Sequence, residues 1–401
     1  MWSQSEILAL SLVPKMRSVD LRRFVDEYAS LTALLHAAPP EVRKAKILDH
    51  VASLALPDVS AIPQNELFTD TEQSYSPKLR SLSSVYDELM SQAHEQERVC
   101  ALEDVQLVSF WSEGYPELLK QIFYPPSLLF VRGSIDALSG GSEQSEQSNP
   151  LHIGIVGTRH CTDYGRMAAE QYARCFAEAG IAVVSGLATG IDTFSHKASL
   201  RAGGVTISVI ASGIDKISPQ ISASLAKEIS NERGAVVSEY PCGTVAQRAY
   251  FPRRNRIITG LSNAILVVES GERGGSLITA RFAHDENREL FAIPGRIYSE
   301  RSKGANMLIQ RSEARLTLHP HDMLQALGVD FTSAEQPNTA SELDEGEKKV
   351  YQALSGDPIH IETIAERTGY AVQDLLFLLL QLEFRGLVRQ MAGKQFMRLG
   401  T

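Results

Sequence analysis

The segment Phe251-Pro-Arg-Arg-Asn-Arg-Ile-Ile-Thr-Gly-Leu-Ser262 packs three arginines, an aromatic ring and an amide into the opening of an otherwise apolar helix. Arg248 extends the cluster. Guanidinium groups neutralise phosphates and an aromatic face stacks exposed bases, so the chemistry these residues suit is the binding of single-stranded nucleic acid. The chain as a whole carries 48 acidic residues against 39 Lys and Arg, a net charge of -9. Proteins that coat duplex nonspecifically are basic over a whole face. A polyanion site here must therefore be a local patch.

Four glycine-rich stretches each follow a short apolar run: VGTR at 156–159, SGLATGID at 185–192, ASGID at 211–215 and SGERGGS at 270–276. In an open α/β sheet, ligands sit beyond the carboxyl ends of the strands, where loop amides and helix N-termini make anion sites. Gly157, Thr158, Ser185, Gly186, Gly190, Gly274, Gly275 and Ser276 are the loop residues expected to take part, with Arg159 projecting into the same crevice. Other chemistries fit less well. VGTRHCTDYG lacks GxGxxG, and there is no GK[ST] of a phosphate-binding loop. Ser185 is not in a GxSxG elbow, so Ser185, Asp192 and His196 read as core or capping residues. His319, His321 and Asp322 are too few for a metal site. Neither a metal nor a cofactor is expected.

The elements that must hold these loops follow from hydrophobic period. Strand-length, β-branched runs occur at 152–157, 181–185, 206–210, 235–238, 264–268 and 289–293, with helical stretches such as 164–179 and 276–287 between them. Right-handed βαβ crossovers then build an α/β fold, a doubly wound Rossmann-like parallel sheet, over residues 105–328. Ahead of it, residues 1–113 contain no glycine and repeat apolar residues at helical spacing, which predicts a helical domain over 1–100, interrupted by a proline-broken loop at 57–77 before a helix near 79–97. Residues 139–150, SGGSEQSEQSNP, read as an exposed insertion, and 329–345 as a linker. Residues 346–401 predict three short helices (347–354, 359–368, 372–384) and two strands turned at Ala392-Gly393, a winged-helix pattern. Its recognition helix has no Lys or Arg, so protein contact is favoured over duplex reading. The four dispersed cysteines fit a reducing cytoplasm, and no apolar run is long enough to span a bilayer.

The motifs VGTRxxxxYG, SGLATGIDTFSH, GGVTISVIASGID, VSEYP, FPRRNRIITGLS, ILVVES, GGSLITARFA and LFAIPG, in this order, resemble the DNA-processing protein A (DprA, or Smf) family over roughly residues 105–326. The resemblance implies a Rossmann-like core that binds single-stranded DNA, protects it and helps load the recombinase RecA during natural transformation. It also implies self-association through the core, a sterile-alpha-motif-like helical domain in front and a winged helix behind. By position it assigns the DNA pocket to Arg159, Arg248 and Phe251, with Asn255 and Arg256 holding the pocket and its glycine loops, and Arg254 in a less defined role. Three departures, Ile217-Ser218, Glu286-Asn287-Arg288 and Ser312-Glu313-Ala314, fall outside that pocket. Residues 1–100 lack the glycines a helix-hairpin-helix DNA contact needs and are assigned no DNA role. The alternative is a nucleotide-processing enzyme resembling the Lonely Guy phosphoribohydrolases, whose PGGxGTxxE signature has its counterpart here in GGSLITARFA, without the glutamate.

Overall fold

Short apolar runs, rich in β-branched residues at the centre of the sheet, give strands, and among the described residues nine of them form one sheet. The computed structural model describes residues 2–36, 82–139, 151–329, 331, 343–384 and 387–398. The predicted loop at 57–77, residues 140–150 of the insertion at 139–150, and residues 332–342 of the linker at 329–345 lie outside them. The strands are β1 Gln106–Ser109, β2 Leu128–Gly133, β3 His152–Val156, β4 Ala182–Ser185, β5 Thr206–Val209, β6 Ala235–Ser238, β7 Ala264–Val267, β8 Glu289–Ala292 and β9 Arg315–Leu316. Their order across the sheet is β1-β2-β6-β5-β4-β3-β7-β8-β9.

From β6 across to β9 every pairing is parallel, and β4, β5, β6 and β7 are buried at each position. Both faces must therefore be covered, which the crossover helices do. The expected parallel core is extended at one edge by two antiparallel strands. β2 pairs antiparallel with β6, and β1 antiparallel with β2. A parallel pair needs a covering crossover; between β1 and β2 the chain forms only the short helix Glu117–Lys120, so it turns back on itself. β3 lies between β4 and β7, where the winding reverses direction.

The N-terminal helices belong to the same compact unit, residues 1–330. Helix Gln4–Ser11 opens with a reciprocal Ser3/Glu6 cap. Its Leu8 and Leu10, with Phe24, Leu31, Leu34 and Leu89, share one apolar cluster with Phe130 of β2, Val236 of β6 and Ile210. Glu6, itself buried, accepts from the amides of Ser3 (2.8 Å) and Leu31 (3.1 Å), so its carboxylate ties two helices. The sequence divides the chain near residue 100; the apolar sides of these helices nonetheless have the sheet as their partner.

The second unit, residues 331–401, has its own core of Val350, Ile364, Leu375, Leu379, Leu382 and Phe396. Its helices are Glu345–Ala353, Ile361–Thr368 and Val372–Phe384, with a small antiparallel sheet of β10 Ile359–His360, β12 Gln395–Arg398 and β11 Val388–Met391 in that order. Val372, Leu376, Phe377 and Leu380 form an exposed apolar stripe on the third helix. Among the described residues no helix is long and apolar enough to cross a membrane.

Candidate nucleic-acid interface

At the carboxyl ends of β3 and β7, where the strand order reverses, the structure holds an open crevice of about 500 Å³. This is where an open α/β sheet places its ligand. One wall is Gly157, Thr158 and Arg159, which follow β3 directly. The opposite wall is Gly274, Gly275 and Ser276, leading into helix Ser276–Asp285, whose N-terminus has no side-chain cap. The amides of Leu277 and Ile278 instead donate to the Gly274 and Gly275 carbonyls, both at 3.1 Å, so the helix start is closed by its own backbone. Arg248, Phe251 and Asn255 close the crevice from the start of helix Tyr250–Gly260. Pro252 sits in the first turn of that helix, where a missing N–H costs nothing. Arg159 and Arg248 are both exposed, Phe251 is half-buried, and the Arg159 guanidinium lies over the Phe251 ring, 5.3 Å from its centroid. Cation and π-face therefore act as one platform.

Beneath the crevice is a buried polar strut. Arg254, 5% exposed, donates through Nη1 to the carbonyl of Gly186 at 2.7 Å and to that of Val209. Asp192 accepts from the amides of Gly186 (3.0 Å) and Ala188 (3.3 Å). A Cβ at Gly186 would fall 2.6 Å from the Arg254 guanidinium and 2.8 Å from the Asp192 carboxylate, so only glycine fits between them. Burial lowers the Arg254 pKa to about 10, with Asp192 opposing, so the side chain stays cationic at neutral pH. Burial likewise raises the Asp192 carboxyl, with Arg254 and the two amides pulling it back. His196 is pushed down to about 3 by burial and by the Arg254 charge, and its Nδ1 lies 2.7 Å from Thr206 Oγ1.

Ten of the residues named from sequence line the crevice: Gly157, Thr158, Arg159, Arg248, Phe251, Arg254, Asn255, Gly274, Gly275 and Ser276. Four do not. Ser185 is fully buried, its hydroxyl donating to the Ile155 carbonyl at 2.6 Å, so it fixes the loop's root and cannot face a ligand. Gly186 lies over the strut. Gly190, at φ +83°, backs onto the carbonyl of Thr158. Arg256 pairs with Glu239, and its role differs from the expectation: Arg254 reaches the glycine loop, whereas Arg256 reaches the chain after β6. The third glycine loop, at 211–215, also stands aside, with the Gly213 amide on Thr244 O (2.8 Å) and Asp215 accepting from Gly243 N (2.7 Å). It steadies the segment that leads to Arg248. Asp322 accepts from the amides of Leu318 and His319, a helix cap.

Sequence reasoning missed Glu269. Its carbonyl accepts from Thr158 N (2.8 Å), and its buried carboxylate accepts from Thr162 N (2.8 Å) and Thr162 Oγ1 (2.6 Å). It joins the ends of β3 and β7, and the one available signal was a carboxylate closing the apolar run ILVVES. Tyr250 stacks on Tyr240, with centroids 4.3 Å apart and planes 19° from parallel.

Comparison with known proteins agrees with this architecture. The chain is 35% identical over 294 residues to Protein Smf of Escherichia coli K12, covering 70% of this chain and 74% of that one. It is 36% identical over 268 residues to the DNA processing protein DprA of Bacillus subtilis, covering 66% and 82%. The X-ray structure of DNA processing protein A from Streptococcus pneumoniae superposes with a TM-score of 0.59 at 27% identity, over 83% of this chain and 100% of that one. Residues 333–394 match the DprA winged helix domain. With residues 106–328 matching the family's main domain, over half its length, the chain belongs to the DNA recombination-mediator protein A family.

Proposed function

We propose that this protein is a sequence-tolerant binder of single-stranded DNA that acts in DNA processing, protects incoming strands and helps load RecA in natural transformation. The observation that carries this reading is the meeting of Arg159, Arg248 and Phe251 at the switch-point crevice. Phosphates go to the guanidinium groups, and bases stack on the Arg159–Phe251 platform, each contributing about 1–3 kcal/mol. Every base has a π-face, so such a site has little sequence preference. The names of its relatives and family, DNA processing protein and DNA recombination-mediator protein, support the same reading.

The role is proposed as non-catalytic. Asp192 is the one carboxylate lining the crevice among the described residues, and it is committed to two amides beside the Arg254 strut. RecA and a second copy of the chain, associated through the sheet core, complete the proposed partners.

Fluorescence anisotropy over a salt series, with a single-stranded oligonucleotide and its duplex, tests the reading. Wild type should bind the single strand more tightly, and the R159E/R248E double variant should lose that binding with its thermal midpoint unchanged. Equal binding by the double variant would falsify the assignment.

A further inference from the structure

The loop between β8 and helix Lys303–Gln310 leaves Ile297 73% and Tyr298 91% exposed, beside exposed Arg301. Its ends are fixed to the crevice's own walls. The Pro294 carbonyl accepts from Tyr164 Oη at 2.8 Å, in the helix that follows the β3 loop. Gly295 exchanges two hydrogen bonds with Asn306, both 3.0 Å, and the Gly304 amide donates to Ser270 O at 2.8 Å, at the root of the β7 loop. The backbone of Glu300 faces crevice-lining Gly271, where an added Cβ would lie 3.5 Å from the Glu300 carbonyl. Burial and then Glu269 raise the Cys161 thiol pKa, with a backbone hydrogen bond and then the Arg166 and Arg301 charges opposing. Lys303 is paired with Glu300, whereas Arg301 makes no ion pair among the described residues.

We propose that this loop is a second stacking station for the same strand: a base leaving the crevice packs on Tyr298, and Arg301 takes the adjoining phosphate. The inference rests on the crevice being a single-strand site and extends its footprint. Such a ring is ill placed for the protein's own stability, because it buries almost nothing, and well placed for a flat ligand, because its loop is tied down on both sides. Tyr298 and Arg301 stand three residues apart on this loop, an exposed ring and an exposed cation of the two types that meet in the crevice at Phe251 and Arg159.

Oligothymidylates of about 5 and about 15 nucleotides separate the two stations, since single-strand sites span about 4–16 nucleotides. With wild type, Y298A, Y298F and R159E, the expected result is that Y298A binds the short strand like wild type but the long strand about five- to a hundredfold more weakly. Y298F, which keeps the ring, should match wild type on both. Y298A equal to wild type on the long strand, while R159E weakens both lengths, overturns the second station and leaves the crevice standing. R159E without effect on either length removes the crevice reading, and this inference with it.

Discussion

The Arg254 guanidinium donates to the Gly186 carbonyl at 2.7 Å, so a buried cation on one helix fixes the backbone of the loop after β4. R254M leaves the Gly186 and Val209 carbonyls without their donor and Asp192 without its counter-charge. Leaving a buried acceptor without its donor costs about 1–3 kcal/mol. Urea unfolding should show that loss, with R254K recovering part of it, since one ammonium cannot make the same fork. R254M as stable as wild type would rule out the strut.

Arg248 is exposed and lines the crevice, so its contribution should be electrostatic. For single strands each neutralised phosphate adds about 0.7 to the salt slope. R248A should lower the slope of log K against log salt by about that amount, with unfolding free energy within about 0.5 kcal/mol of wild type. An unchanged slope would place the phosphate elsewhere.

Gly190 holds φ +83°, and a Cβ there would lie 2.4 Å from the Thr158 carbonyl and 2.7 Å from Arg159 backbone atoms. With ψ at -132° this conformation lies outside the left-handed helical region, and an L-residue there costs about 1–3 kcal/mol before any clash. G190A should lower the thermal midpoint and weaken oligonucleotide binding together, because relief of the clash displaces the Arg159 wall. Binding retained at wild-type strength would show that wall to be adaptable.

The buried His196 titrates near 3 in the folded protein, below the ordinary 6.5. Its neutral form is the one the fold accepts, so the unfolded chain takes up the proton first as pH falls. The contribution is full above about 6.5 and is lost progressively down toward 3. Thermal midpoints measured between those values should fall less steeply with acidification in H196Q than in wild type. Parallel profiles would mean that His196 does not drive the acid limb.

Much of the fold was legible because apolar period depends on local sequence. The runs at 206–210, 235–238 and 264–268 became β5, β6 and β7 with at most one residue trimmed, and the third winged-helix helix spans 372–384 as expected. β2 was not read as a strand. Its antiparallel place beside β6 depends on a partner more than a hundred residues away, and no local pattern encodes that. Ser185 was misplaced as a ligand for a related reason: its position in a glycine loop is visible in sequence, but the direction of its hydroxyl is set by Ile155 of the neighbouring strand.

The sequence alone determined a parallel core with glycine-rich loops at its strand ends, and a knot of arginines beside Phe251. Tertiary structure decided what each arginine does. Arg253 is exposed, Arg254 is buried beneath the Gly186 loop, and Arg256 is paired with Glu239. Three like side chains within four residues meet three environments because a helix turns its successive positions through about 100°. Which direction faces the sheet is fixed by the packing of Ile257 and Ile258 in the core.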